Sequence, residues 1–81
     1  MKARIRITLK DGVLDPQGKA IAGALASLGF GGVDNVRQGK YIELDIAAAD
    51  RATAEAEVTA MCEKLLANPV IENYSVTIDG D

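Results

Sequence analysis

The sequence predicts a single α+β domain with elements in the order βαββαβ. Three observations point there. Apolar and polar residues alternate at residues 2–10 and 41–46. Two stretches of helical apolar spacing each begin at an aspartate. An Asn68-Pro69 break then precedes a last alternating run.

Residues 2–10 set Ala3, Ile5, Ile7 and Leu9 on one face and Lys2, Arg4, Arg6, Thr8 and Lys10 on the other. That period of two marks a half-buried strand. Asp15 follows as a helix cap, accepting from free backbone N–H groups. Pro16 suits the first helical position, where its missing donor is not needed. Ile21, Ala22, Leu25 and Leu28 recur at helical spacing as a narrow apolar stripe. Gly29 is expected to end this helix in a left-handed conformation, with Phe30 packing back on Leu25.

Gly31 and Gly32 read as loop. Residues 33–38 read as a short or bulged strand, because their alternation is poor, and Gly39 reads as a tight turn. Residues 41–46 form a clear strand, with Ile42, Leu44 and Ile46 inward. Asp50 caps a second helix running to about Ala67, with Ala54, Val58, Met61, Cys62 and Leu65 as its stripe. Residues 70–78 form the last strand, with Tyr74, Val76 and Ile78 on one side. Asp79-Gly80-Asp81 is expected to fray.

The expected architecture for this order is a ferredoxin-like sandwich: a four-stranded antiparallel sheet with two helices on one face. The first and third strands are then central neighbours. Their outward residues agree, because Arg4 and Arg6 stand on one and Glu43 and Asp45 on the other. Each such cross-strand pair contributes about 0.2–1 kcal/mol.

Residues 1–81 make one domain with a thin stability margin, a length at which self-association often supplies what the core cannot. The single cysteine, Cys62, forms no disulfide within the chain and fits a reducing compartment. Met1 leads straight into a charged strand and no apolar run approaches membrane-spanning length. The expectation is a cytoplasmic protein with no membrane partner. A formal net charge of -3 lacks the basic excess of nucleic-acid binders.

Catalytic chemistry finds little to use. Histidine, the commonest general base, is absent. Cys62 lies on an apolar helix stripe and reads as a small buried hydrophobe. The carboxylates fall on helix surfaces or opposite arginines, and no Cys-x-x-Cys pair offers a metal site. The Gly12–Lys19 run is one residue longer than a P-loop, has Ala20 where Ser or Thr is needed, and places Asp15 against any anion. One tyrosine among acids on the open sheet face makes a poor platform for RNA bases. No catalytic, cofactor or metal residue is expected on this chain.

Protein binding remains, and the strand–helix junction is its first candidate. Leu14 precedes the cap, but the residue that would complete a hydrophobic staple is Lys19. Gly18 lies in the first helical turn, where glycine costs about 0.5–1 kcal/mol against alanine. Two readings stay open: Val13 and Leu14 fold back over the end of the core, or they and Gly18 meet a partner. Val13, Leu14, Asp15, Gln17 and Gly18 are therefore interface candidates, with Arg37 and Lys40 of the second polar cluster behind them.

The run Leu9-Lys10-Asp11-Gly12-Val13-Leu14-Asp15-Pro16-Gln17-Gly18, then Ala20-Ile21, Leu25 and Leu28-Gly29-Phe30, resembles the small S subunit (PurS) of phosphoribosylformylglycinamidine synthase. So do Val36-Arg37-Gln38-Gly39-Lys40, the stretch Met61-Cys62-Glu63-Lys64-Leu65-Leu66-Ala67-Asn68-Pro69-Val70-Ile71-Glu72, and Tyr74. The fold requires neither the Gly-Val-Leu-Asp-Pro-Gln-Gly run nor the Leu-Ala-Asn-Pro-Val-Ile-Glu run. The resemblance implies a place in the fourth step of de novo purine synthesis. There a glutaminase subunit releases ammonia and a large synthetase subunit uses it with ATP and Mg²⁺. It further implies a homodimer or dimer of dimers that bridges those two subunits and supports ammonia transfer.

Two other classes share this element order. An effector-sensing regulatory domain would bind a small molecule at a dimer interface near the first strand–helix loop. An acyl-phosphate hydrolase would need an arginine in that loop, which offers only Lys10 and Lys19.

Overall fold

The computed structural model describes residues 1–80. Its elements are β1 (Lys2–Leu9), α1 (Pro16–Ser27), β2 (Gly39–Asp45), α2 (Arg51–Met61) and β3 (Glu72–Asp79). A π-helical turn at Cys62–Leu66 continues α2. Asp79 closes β3 rather than fraying, and Asp81 lies outside the described residues.

β1 is the centre of a three-stranded antiparallel sheet in the order β2-β1-β3. The register sets Ile5 between Ile42 and Val76, and Ala3 between Leu44 and Ile78. Opposed residues share a face, so the apolar positions of all three strands gather on one side. α2 covers part of that side, packing chiefly against β3. Ala54, Val58 and Cys62 are fully shielded there, with Ala3, Ile5, Ile7 and Ile78 beneath them. The opposite face is polar. Arg4 stands against Glu43, its Nε 3.7 Å from the carboxylate, and Lys2 against Asp45. Arg4 also pairs with Asp79 on the other side. Arg6 meets Tyr41 rather than an acid, its guanidinium 5.6 Å from the ring centre.

The sheet has three strands, not the expected four. Residues 33–38 form no strand. Gly39 is the first residue of β2, opposite Thr8, so no reversal there folds residues 33–38 back beside β2. A side chain at Gly39 would collide with the carbonyl of Ile7, which explains the glycine as a close approach between strands. Asn35 takes a positive φ of 54°, which interrupts extended structure just upstream.

The second correction concerns α1. It does not lie on the sheet beside α2, and none of its residues belongs to the core or to the apolar side chains packed on it. The radius of gyration is 16.0 Å, against about 12 Å for a compact chain of this length. The molecule measures 50 × 26 × 14 Å. An eight-residue strand spans about 27 Å and a twelve-residue helix about 18 Å. Laid end to end, the two account for most of the long axis, so α1 projects beyond the sheet.

The helix ends follow their chemistry. Asp50 accepts from the Thr53 N–H at 2.8 Å and starts α2. Gly29 adopts φ 99° and Phe30 N–H returns to the Leu25 carbonyl at 2.9 Å, closing α1. The regular part of α2 ends at Met61 rather than near Ala67. Beyond it the Ala67 N–H reaches the Cys62 carbonyl five residues back, at 3.0 Å. This wider turn carries Glu63, which accepts the hydrogen bond of the Tyr74 hydroxyl. Among the described residues, no helix is long and apolar enough to cross a membrane.

Candidate functional site

The strand–helix junction is built around one buried carboxylate. β1 ends at Leu9, and the Lys10 N–H is held by the Ile71 carbonyl at 2.8 Å. Gly12 then turns the chain at φ 86°, a conformation that favours glycine. Asp15 follows, 8% exposed, and its two oxygens do different work. Oδ1 accepts from the Gly18 N–H at 2.8 Å, which is the helix cap. Oδ2 accepts from the Gln38 N–H at 3.0 Å, which ties the cap to the chain entering β2.

Two further contacts close the clasp. Arg37 donates to the carbonyls of Leu9 and Lys10, at the end of β1, and its Nε lies 4.0 Å from Asp15 Oδ2. The Gln38 side-chain amide donates to Gln17 Oε1 at 2.8 Å. The backbone N–H groups of Gln38 and Gly18 hold the Asp15 carboxyl below its ordinary pKa, and the Arg37 charge adds to them. The carboxylate form is therefore part of the folded structure.

The clasp also explains Gly18. A Cβ there would fall inside contact distance of the Val36 carbonyl oxygen, and 2.7 Å from Asp15 Oδ2. Glycine is needed because the returning chain lies against the first turn of α1. Two clefts open on either side of Asp15. The larger, about 470 Å³, runs between α1 and residues 34–37 and takes in Val13, Leu14, Gly18 and Arg37. The smaller, about 190 Å³, takes in Gln17, Lys40 and Glu72.

The structure thus brings all seven candidates to one end of the sheet, but in different roles. Leu14 is 67% exposed and Gln17 is exposed. Val13 is half-buried. Asp15 and Gly18 are buried within the chain. Lys40 sits 3.5 Å from Glu72, whose side chain is largely shielded. Three participants escaped the sequence: the Val36 carbonyl, the Gln38 N–H and Glu72. The first two are backbone groups, which leave no trace in side-chain identity. Glu72 becomes visible only through the pairing of β3 with Leu9. Cys62 is buried, and that burial raises its thiol pKa.

Comparison with known proteins places this geometry. The family model for PurS, phosphoribosylformylglycinamidine (FGAM) synthase, matches residues 2–80. The PurS subunit of Synechocystis is 53% identical over 93% of this chain and 75% of its own length. That of Archaeoglobus fulgidus is 51% identical over 94% of this chain and 95% of its own. A crystal structure of Bacillus subtilis PurS superposes with a TM-score of 0.87 at 47% identity, covering 98% of both chains. A chain in the structure of PurLQS from Thermotoga maritima gives 0.86 at 36% identity, covering 94% of this chain and 93% of that one. These alignments take in nearly the whole of the chain, the strand–helix junction included, and the chain belongs to the PurS family of FGAM synthase subunits.

Proposed function

We propose that this chain is the bridging subunit of an FGAM synthase assembly in purine biosynthesis, and that it contributes no catalytic residue. It joins a glutaminase subunit to the synthetase subunit that uses ATP and Mg²⁺, and supports the transfer of ammonia between them. It works in the cytoplasm as a homodimer or a dimer of dimers. Family membership favours this reading over an effector-sensing domain of the same element order. The observation that carries the bridging role is the projection of α1 and its junction beyond the sheet, with Leu14 in solvent at the base. A protruding element with exposed apolar side chains suits contact with other subunits. Leu14 and Gln17 make direct contacts in this reading, with Val13 beside them. Asp15 and Gly18 fix the shape they are presented on. Arg37 and Lys40 extend the surface to the second cleft.

The test is reconstitution with the glutaminase and synthetase subunits. Leu14→Asp is expected to abolish co-elution and glutamine-dependent turnover, while turnover supplied with free ammonia continues. Unchanged assembly and turnover with a variant of wild-type circular dichroism would overturn the junction's role.

A further inference from the structure

The polar face of the sheet carries a charge pattern that the fold does not use up. The register arranges that face in cross-strand rows. In the row of Lys2, two acids, Asp45 and Asp79, flank one cation. In the next, Arg4 stands between Glu43 and Thr77. In the third, Arg6 lies between Tyr41 and Ser75 and meets no acid. Thr8, between Gly39 and Asn73, ends the face without charge. One end of the face thus has acid in excess, and the other has a single cation. Lys2 and Arg4 are ion-paired, but Arg6 has no such partner among the described residues. The Lys2 row lies four residues along the strand, about 13 Å away, beyond the reach of one exposed charge for another in salt.

Arg6 is nonetheless held in place. Its guanidinium lies 5.6 Å from the Tyr41 ring centre. The Tyr41 hydroxyl donates to Glu43 at 2.7 Å, and Glu43 is gripped in turn by Lys2 and Arg4. The ring is therefore anchored and the cation rests on it. A guanidinium stacked in this way keeps its planar fork of N–H donors free. Ser75, Thr77 and Asn73 on the neighbouring strand are short, neutral and exposed. They leave the approach open and offer hydroxyl and amide donors of their own. A positioned guanidinium among neutral donors is complementary to a carboxylate.

We infer that this face is the second docking surface of the bridge. Arg6, laid on Tyr41, receives an aspartate or glutamate side chain of whichever large subunit does not engage the Leu14 junction. This inference rests on the bridging reading above and names a further contact for it. A bridge needs two surfaces, and the two present here differ in kind. The junction offers exposed apolar side chains at the base of a projecting helix. The sheet offers a flat polar face whose one large apolar body is the Tyr41 ring, 52% exposed. A contact of the second kind is steered by charge and sensitive to salt.

Reconstitution on a surface tests it. The chain is immobilised, both large subunits are supplied, and the binding of each is followed by labelling one at a time. Leu14→Asp is expected to loosen one subunit. Arg6→Gln is expected to loosen the other by about tenfold, Arg6→Glu by more, and Arg6→Lys by less, since it keeps the charge but not the fork. Raising salt from about 0.05 to about 0.5 M should weaken that subunit on the wild type and change little on Arg6→Gln. Lys2→Gln, at a cation already paired, should stay within about twofold of the wild type. All variants should keep the wild-type circular dichroism, because Arg6 is exposed and unpaired. Binding of both subunits to Arg6→Gln within about twofold of the wild type overturns the inference. So does an equal loss with Lys2→Gln, or loss of the same subunit that Leu14→Asp releases. Altered sedimentation of the Arg6 variants alone would mean that a second copy covers the face, and overturns it too. A wild-type chain that fails to hold both subunits overturns the bridging reading, and this face with it, before any variant is compared.

Discussion

Replacing Gly18 and Gly23 by alanine, one at a time, separates two forces that act on the same helix. Alanine in place of glycine inside a helix gains about 0.5–1 kcal/mol, because it restricts the unfolded chain. Gly23 receives that gain in full, since nothing lies within 4 Å of a Cβ there. It also points away from Ile21 and Leu25, two residues off at about 100° each. Gly18 lies in the same helix, but its Cβ would press on the Val36 carbonyl and stand 2.7 Å from Asp15 Oδ2 and 3.0 Å from Asp15 Cγ. The backbone at Val36 has little room to yield, because Gln38 N–H is bonded to Asp15 and Arg37 grips the end of β1. Overpacking of this kind costs about 1–3 kcal/mol. The clash outweighs the propensity gain at the middle of both ranges, and Gly18→Ala is expected to destabilise by about 0–2.5 kcal/mol, centred on about 1 kcal/mol. For a chain of this size each kcal/mol moves Tm by about 4–8 °C. Thermal melts at one fixed protein concentration, since self-association shifts Tm, should show Tm falling for Gly18→Ala and rising for Gly23→Ala. If both variants gain stability alike, Val36 does not lie against Gly18 in solution and the clasp is wrong.

The acid limb of stability follows from Asp15. Its pKa is lowered on folding, so its contribution is complete above the ordinary carboxylate pKa near 4 and is lost as pH falls below that. Urea titrations from pH 7 to pH 2 should show the wild type losing stability in that window, and Asp15→Asn should flatten the limb. Tyr74 donates to Glu63, and its pKa is pushed up to about 12 from 10.0. The stabilisation is present below pH 10 and lost as pH rises toward 12. Ultraviolet titration should show this phenol ionising late, and Glu63→Gln should bring it back toward 10. The Cys62 thiol, buried and raised in pKa, should react with a disulfide reagent only as fast as the molecule opens. Prompt reaction of the native protein would mean that α2 does not seal the core.

What was legible in the sequence is what local chemistry decides. The alternation of β1 fixed its inward row, and the caps at Asp15 and Asp50 marked both helix starts within a residue. The Gly29 stop and the pairing of Arg4 with Glu43 were equally visible. What was not legible depends on which surfaces find each other. Residues 33–38 have poor alternation, and sequence pattern cannot distinguish an edge strand from an extended chain lying against a helix. The stripe Ile21, Leu25, Leu28 announces a helix that must be covered, but not by what. The familiar βαββαβ sandwich supplied the sheet of the same chain as the answer, and the structure does not.

Gly18 has its close neighbour inside the chain. A glycine in the first turn of a helix points to close approach by another group. With α1 projecting, the approach comes from residue 36 of the same chain. The need for glycine and the projection then have one cause. Asp15 draws Gln38 toward the helix start, the returning chain comes to lie against Gly18, and the first turn of α1 is committed to a direction off the sheet. A carboxylate that looks like an ordinary cap thus sets where a whole helix goes. The apolar side chains left in solvent are Leu14 at the base and Ile21 and Leu28 along the arm. A substitution at Asp15 should therefore disturb assembly through the direction of α1, while one at Leu28 should disturb it with the clasp intact. Hydrogen exchange at the Gly18 and Gln38 amides distinguishes the two.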